Sequence, residues 1–221
     1  MQFDMYLVDL LFPNRCLECN RIIPAEEVVC GVCFEQVHFT HHQFLENNLL
    51  VEKCRLLFPV EHAVALMQFE EESTSRKIIH QLKYGKREKI GEILAKWTLE
   101  RIDFLPFKPD IFATVPLHPK KLKERGYNQL HLFADTLSKE LDVPCDHHLI
   151  ERNFYKKAQA QKNRDERTYK EQLFSVTKEI SNQHVLLIDD VFTTGNTMSA
   201  IAWEVLKAGN NKVSVLVMAV D

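Results

Sequence analysis

One stretch constrains this chain more than any other: Val185-Leu-Leu-Ile-Asp-Asp-Val-Phe-Thr-Thr-Gly-Asn-Thr197. Its first four residues are apolar and read as a buried strand. Two adjacent carboxylates, Asp189 and Asp190, stand at the strand's end. A short Thr/Gly loop follows, and then the apolar, helix-forming run from Met198 to Ala208. Strand, loop and helix in that order make half of a βαβ unit, where ligands sit beyond the carboxyl ends of the strands. The loop can turn its backbone N–H groups and the Thr193, Thr194 and Thr197 hydroxyls onto a phosphate, and the next helix adds a favourable dipole. The two carboxylates can accept hydrogen bonds from a vicinal diol, so the stretch suits a sugar phosphate. The plainer alternative is a strand ending in a solvated turn. A Walker-type loop is excluded, because no Gly-Lys-Ser/Thr follows.

The segment resembles the phosphoribosyl pyrophosphate (PRPP) loop of type I phosphoribosyltransferases. That pattern is four apolar residues, two acids, two variable residues and Thr-Thr/Gly-Gly-x-Thr. The resemblance implies that Asp189 and Asp190 hold the ribose hydroxyls as the catalytic pair. It also implies that Thr193, Thr194, Gly195, Asn196 and Thr197 hold the 5′-phosphate. Mg²⁺ would accompany PRPP, bridging the pyrophosphate and ribose hydroxyls.

Near the amino terminus, Cys16-Leu-Glu-Cys19 and Cys30-Gly-Val-Cys33 form two Cys-x-x-Cys knuckles. Each offers two thiolates to one face, and together they can close a tetrahedral Zn²⁺ site. Paired knuckles point to metal rather than redox work. Four protein ligands leave no open position, so a structural ion is expected, supplying folding energy to a module with no core of its own. Cys54 and Cys145 are isolated and read as small buried residues. His147 and His148 receive no role.

The 221 residues suggest one ordinary domain plus a small module. A hydrophobic content of 45% with 27% charged residues fits a globular protein with a sizeable core. No apolar run is long enough for a membrane span, and the acidic start Met1-Gln-Phe-Asp lacks a signal-peptide charge pattern. The expected location is the cytoplasm. The expected division is a zinc module with its connecting segment over 1–59 and an α/β domain over 60–221. In that second part, strands are expected over Glu61–Glu70, Asp110–Pro116, Asp146–Ile150, Val185–Ile188 and Lys212–Val220. Helices are expected from a Ser73 or Thr74 cap through Leu82, broken at Tyr84-Gly-Lys86, then from Lys89 to Arg101, Gly126 to Leu141 and Met198 to Ala208. This alternation implies a mainly parallel sheet with right-handed crossovers.

Further motifs sharpen the resemblance. Lys83-Tyr-Gly-Lys86, Val115-Pro-Leu-His118, Arg125-Gly-Tyr-Asn-Gln129 and the signature segment, in this order and behind a four-cysteine module, are similar to the ComF family. The nearest likeness is to its ComFC-type late competence proteins, which serve uptake of transforming DNA. The family's Thr-x-x-Gln and Arg-x-x-Asn are represented here only by Lys156-Lys157-Ala-Gln159 and Arg167-Thr-Tyr169. The likeness implies a pyrophosphate loop at Val115–His118, with Pro116 and Leu117 at the ligand and Lys120, Lys121 and Arg125 as leaving-group partners. His118 reads either as a base or as a structural residue, and Tyr127, Asn128 and Gln129 either as helix-start packing or as ligand contacts.

Net charge is −3, so overall charge predicts no nucleic-acid binding. Local charge differs, with Lys and Arg gathering in Arg76–Lys89, Leu117–His131 and Arg152–Lys170. Solvated helix faces, a polyphosphate pocket or a nucleic-acid track would each explain these clusters. Three functions therefore stay open. One is a PRPP-dependent transferase of unknown acceptor. The second is a single-stranded DNA-binding module using Lys83, Lys86, Arg87, Lys156, Lys157 and Arg164 beside Tyr84, Tyr127, Phe154 and Tyr155. The third is a docking factor whose zinc module meets a ComFA-type helicase.

Overall fold

The computed structural model describes residues 13–153 and 173–221. Its centre is a five-stranded sheet in the order β1-β7-β6-β2-β3, formed by β1 (Ala63–Gln68), β7 (Lys212–Val220), β6 (His184–Phe192), β2 (Ile111–Thr114) and β3 (Cys145–Asp146). Every neighbouring pair is parallel. Parallel strands need crossovers, and these are supplied by α3 (Thr74–Tyr84) and α4 (Ile90–Arg101), α5 (Pro119–Arg125) and α6 (His131–Leu141), and α7 (Asn196–Lys207). Two shorter helices, α1 (Gly31–Phe34) and α2 (Leu49–Arg55), precede the sheet. No helix of the described residues is long and apolar enough to cross a membrane.

The sheet's middle reads as continuous apolar sequence because it is covered on both faces. Val185–Ile188 and Val213–Val220 are buried throughout. Helix α4 approaches α6 closely at Gly91, where a Cβ would lie 3.2 Å from the Phe133 backbone N. Helix α7 packs against β6 and β7.

The amino-terminal segment closes the open edge of β1. Phe39 bridges Met67 in antiparallel sense. The Gln68 N–H donates to the His38 carbonyl at 2.8 Å, and Thr40 N–H donates to Leu66 at 3.1 Å. An edge strand is thereby paired rather than left as a template for aggregation. Lys77 Nζ binds Glu18 Oε1 at 2.5 Å, which holds the Glu18 carboxyl below its ordinary value. Arg101 stacks on Phe39 with 4.0 Å to the ring centroid.

Four departures from the sequence reading have local causes. Strand β6 runs on through Asp189–Phe192 because β7 continues beside it, pairing Val191 with Ala219 and Phe192 with Val220. The expected helix over Gly126–Leu141 starts only at His131, as α6, and an unexpected helix, α5, precedes Gly126. Pro119 at the first turn and His118, whose side chain accepts from Lys120 N–H, start α5. Gly126, at φ +84°, ends it as a left-handed cap. The expected strand over Asp146–Ile150 is replaced by β3 and by β4 (Ile150–Arg152), which pairs antiparallel with β5 (Phe174–Val176) in a small separate sheet.

Candidate ligand site

Strand β2 lies beside β6 only as far as Thr114↔Ile188, with Val115 N–H donating to the Ile188 carbonyl at 3.0 Å. Beyond that point β2 departs into Val115–His118. Asp189 and Asp190 therefore sit where two parallel neighbours part at their carboxyl ends, the position at which open α/β sheets bind ligands. Past them, Gly195 adopts φ +74° and turns the chain into α7 with no side chain capping the helix. The first N–H groups of α7 are free of side-chain acceptors, and Thr193, Thr194, Asn196 and Thr197 are exposed beside them. These residues, with Asp189 and Met198, line a niche of about 60 Å³. That is roughly twice a water's share of liquid volume. Gly195 is required sterically as well as conformationally: a Cβ there would lie 2.5 Å from Leu57 Cδ1 and 2.6 Å from Phe192 Cζ.

The acid pair is asymmetric. Lys83 Nζ, from the end of α3, lies 2.6 Å from Asp190 Oδ1, and the Gln129 amide donates to Asp190 Oδ2. Arg125 donates to Gln129 Oε1 at 2.6 Å, which fixes the amide's orientation. The Arg125 guanidinium also stands 4.9 Å from the Tyr84 ring centroid. A ring of contacts thus runs Lys83–Asp190–Gln129–Arg125–Tyr84 and closes through the Lys83–Tyr84 backbone. Asp189 has no such cation in contact. It accepts from Asp190 N–H at 2.8 Å. Burial first, and then the neighbouring Asp190 charge, push its carboxyl up to about 8.

The other expected site residues fall into three groups. Pro116 and Leu117 are half-buried beside the acids' end of the sheet, and Lys120 and Lys121 are exposed on α5. Asn128 is structural: it donates to the Val115 carbonyl at 3.3 Å and accepts from Leu130 N–H at 3.1 Å. Tyr127 likewise donates to the Leu82 carbonyl. Of the nucleic-acid candidates, Lys83 is committed to Asp190, Arg87 donates to Asn14, and Lys86 is exposed. Lys156, Lys157 and Arg164, with Phe154 and Tyr155, lie outside the described residues. The Lys83 and Gln129 roles at Asp190 were missed from sequence. Their only signal was that the Lys-Tyr-Gly and Arg-Gly-Tyr-Asn-Gln motifs accompany the acid pair.

The four amino-terminal cysteines converge. The sulfurs of Cys16, Cys19, Cys30 and Cys33 all lie within 4.8 Å of one another, and Cys19 Sγ is 3.7 Å from Cys30 Sγ. A tetrahedron with Zn–S of about 2.3 Å has an edge of about 3.8 Å, so the donors fit that ion. Burial opposes the Cys16 thiolate, but N–H groups of Cys19, Cys30 and Glu18 pull the thiol down to about 6.

A model of the phosphoribosyl transferase domain matches residues 131–220, and one of the double zinc ribbon domain matches residues 7–44. The DNA utilization protein YhgH of Escherichia coli is 31% identical over 213 residues, covering 90% of this chain and 87% of that protein. The competence protein ComFC of Bacillus subtilis is 35% identical over 105 residues, or 47% of this chain and 41% of that protein. The chain belongs to the ComF family. Another relative, the competence protein F of Haemophilus influenzae, is 31% identical over 111 residues, 48% of each chain. Solved structures resemble the fold loosely: the purine phosphoribosyltransferase from Pyrococcus horikoshii Ot3 is 18% identical with a TM-score of 0.36, covering 63% of this chain and 85% of that one. In ComF terms, the signature segment, the Lys-Tyr-Gly motif and the Arg-Gly-Tyr-Asn-Gln motif of this chain meet around one carboxylate.

Proposed function

We propose that this ComF-family chain binds PRPP, or ribose 5-phosphate, at Asp189–Thr197 and works in the handling of incoming DNA. The observation that carries the reading is the shared niche. An acid suited to a diol and an uncapped helix start suited to a phosphate line the same small cavity at the carboxyl end of β6. The 5′-phosphate would take N–H groups of Asn196 and Thr197 with the Thr193 and Thr194 hydroxyls. Asp189 would accept from the ribose hydroxyls. Asp190, positioned by Lys83 and Gln129, would lie under C1′, where an oxocarbenium-like charge develops during transfer.

Mg²⁺ fits this site through its ligand more than through the protein. Both Asp190 oxygens already have donors, and Mg²⁺ usually takes one or two carboxylates plus substrate phosphates and several waters. When bound, it would neutralise the leaving pyrophosphate. Pro116 and Leu117 bound that side of the site, with Lys120 and Lys121 as cations on the following helix. The chain's own residues orient the ribose and phosphate. The acceptor is not specified by any pocket described above.

The role in DNA handling rests on the relatives' names, and the exposed cations Lys86, Lys120 and Lys121 offer phosphate contacts for single strands. A helicase of the ComFA type is a docking partner in the same reading, reached through the zinc module. A calorimetric titration with PRPP and Mg²⁺ tests the central claim. Binding that Asp189→Ala with Asp190→Ala abolishes supports it, and no heat or spectroscopic change with either PRPP or ribose 5-phosphate removes it. Pyrophosphate release in an acceptor screen then separates a transferase from a binding protein. Salt-sensitive binding of a labelled oligonucleotide tests the DNA arm.

A further inference from the structure

A second group of metal-ligating side chains lies away from the zinc ribbon and away from the acid pair. Asp135 on α6, Cys145 on β3 and His147 just past β3 bring a carboxylate oxygen, a sulfur and an imidazole nitrogen within 4.8 Å of one another. His147 Nε2 is 2.8 Å from Asp135 Oδ1, and Cys145 Sγ is 3.7 Å from the Nδ1 atom of the same ring. We propose that Asp135, Cys145 and His147 form a second site for a divalent transition metal, zinc in the first instance.

The donor chemistry points to this class of ion. Sulfur beside imidazole suits zinc and its neighbours, whereas Mg²⁺ and Ca²⁺ take oxygen ligands. The frame is rigid. Cys145 and Asp146 are locked to β2 by the parallel register Phe112↔Cys145 and Ala113↔Asp146, with Phe112 N–H donating to the Pro144 carbonyl at 2.8 Å. The ring orientation is fixed from behind. Thr114 Oγ1 lies 3.1 Å from His147 Nδ1, and His131 stacks on the His147 ring with centroids 3.9 Å apart. An outer-shell hydrogen-bond acceptor on one ring nitrogen orients the ring and aims the other nitrogen at a metal. The site also has an approach from solvent, since the Asp135 side chain is 58% exposed and that of His147 is 18% exposed.

The metal would sit between Nε2 and Asp135, and the Cys145 side chain, whose sulfur now lies beside Nδ1, would turn toward it. Proton accounting is simple. The Cys145 thiol loses one proton to solvent on coordination. As a ligand through Nε2, His147 carries its N–H on Nδ1, where the Thr114 hydroxyl can accept it. Three protein ligands leave a position for water, as in zinc sites that are not closed. His131 is placed to become a fourth ligand only if its stacked ring turns.

The test is metal stoichiometry on the full-length protein, equilibrated with zinc and measured by elemental analysis. About two ions per chain are expected, one in the four-cysteine ribbon and one here. His147→Ala and Cys145→Ser should each leave about one, while Cys16→Ser with Cys30→Ser should lose the ribbon ion and keep this one. Asp135→Asn, at an exposed position, keeps the experiment readable if a buried variant misfolds; it should weaken the second ion by about tenfold or more. Thr114→Val should weaken it by about 10–100-fold without removing a ligand. Zinc should also protect Cys145 from alkylation. One ion per chain at saturating zinc, or two ions retained in His147→Ala with Cys145→Ser, would overturn the proposal.

Discussion

Lys83 Nζ lies 2.6 Å from Asp190 Oδ1, and the side chains are only 20% and 11% exposed. This pair fastens the end of α3 to the end of β6 across nearly half the chain's sequence. It also withdraws Lys83 from any solvent-facing basic track. Removing one partner would leave the other charge largely buried without its counter-ion. Lys83→Met should therefore cost about 1–3 kcal/mol, between the values of exposed and fully buried pairs. Urea denaturation measures it. A double-mutant cycle with Asp190→Asn should return most of that cost as coupling. The same variant should weaken PRPP binding, because Asp190 would no longer be held in place.

Gly195 is the turn on which the phosphate niche depends. Its φ of +74° disfavours any side chain, and a Cβ would collide with Leu57 and Phe192. Gly195→Ala should destabilise the fold by more than about 1 kcal/mol and reduce affinity for ribose 5-phosphate. Thr194→Val, which leaves the backbone alone, should reduce phosphate affinity with little change in thermal stability. Equal losses of stability in the two variants would refute this division of roles.

The zinc module should depend on its ion. A cluster of four sulfurs buries little apolar surface of its own, and metal binding supplies much of such a module's folding free energy. A strong chelator should lower the melting temperature and expose the contacts that close β1, including Thr40 to Leu66. Because thiolates must regain protons to leave the metal, release should accelerate as pH falls. Stopped-flow release measured with a zinc indicator at several pH values checks this. Serine at Cys16 and Cys30 should mimic the chelated state.

How much of this could be read in advance depends on the range of each interaction. The strand, acid pair, loop and helix of 185–197 are contiguous, and the four cysteines declare themselves by spacing. The extension of β6 through Asp189–Phe192 was hidden, because Asp is a poor strand former and only pairing with β7 holds it extended. The β4–β5 pair was hidden because strands of three residues carry no usable period. Helix α5 was hidden for the opposite reason: its charged Lys-Lys-Leu-Lys-Glu-Arg run looks like a solvated loop, and Pro119 and Gly126 mark its ends only once the helix is known. The role of Gln129 appears only when the chain ahead of α6 is packed so that its amide reaches Asp190. The Asp135–Cys145–His147 group was invisible because the packing of α6 against β3 carries Asp135 to Cys145 and His147.

The final prediction concerns pH and Asp189. Its carboxyl is pushed from 3.8 up to about 8, by burial first and by Asp190 second, against the smaller pull of Lys83. Between those two values the folded protein keeps a proton that the unfolded chain has released. The unfolded state then binds fewer protons, so stability falls as pH rises through that window. The contribution is fully present below 3.8 and fully lost above about 8. Asp189→Asn cannot ionise and should flatten the profile across the same range, which thermal melts at a series of pH values will show. Ligand binding should move in the opposite direction. A diol is held best by an ionised acceptor, so affinity for ribose 5-phosphate should rise as pH approaches and passes about 8. Asp189→Asn should bind weakly and with little pH dependence. If wild-type affinity is flat across this range while the Asp189→Asn protein binds as well as the wild type, Asp189 does not hold the ribose.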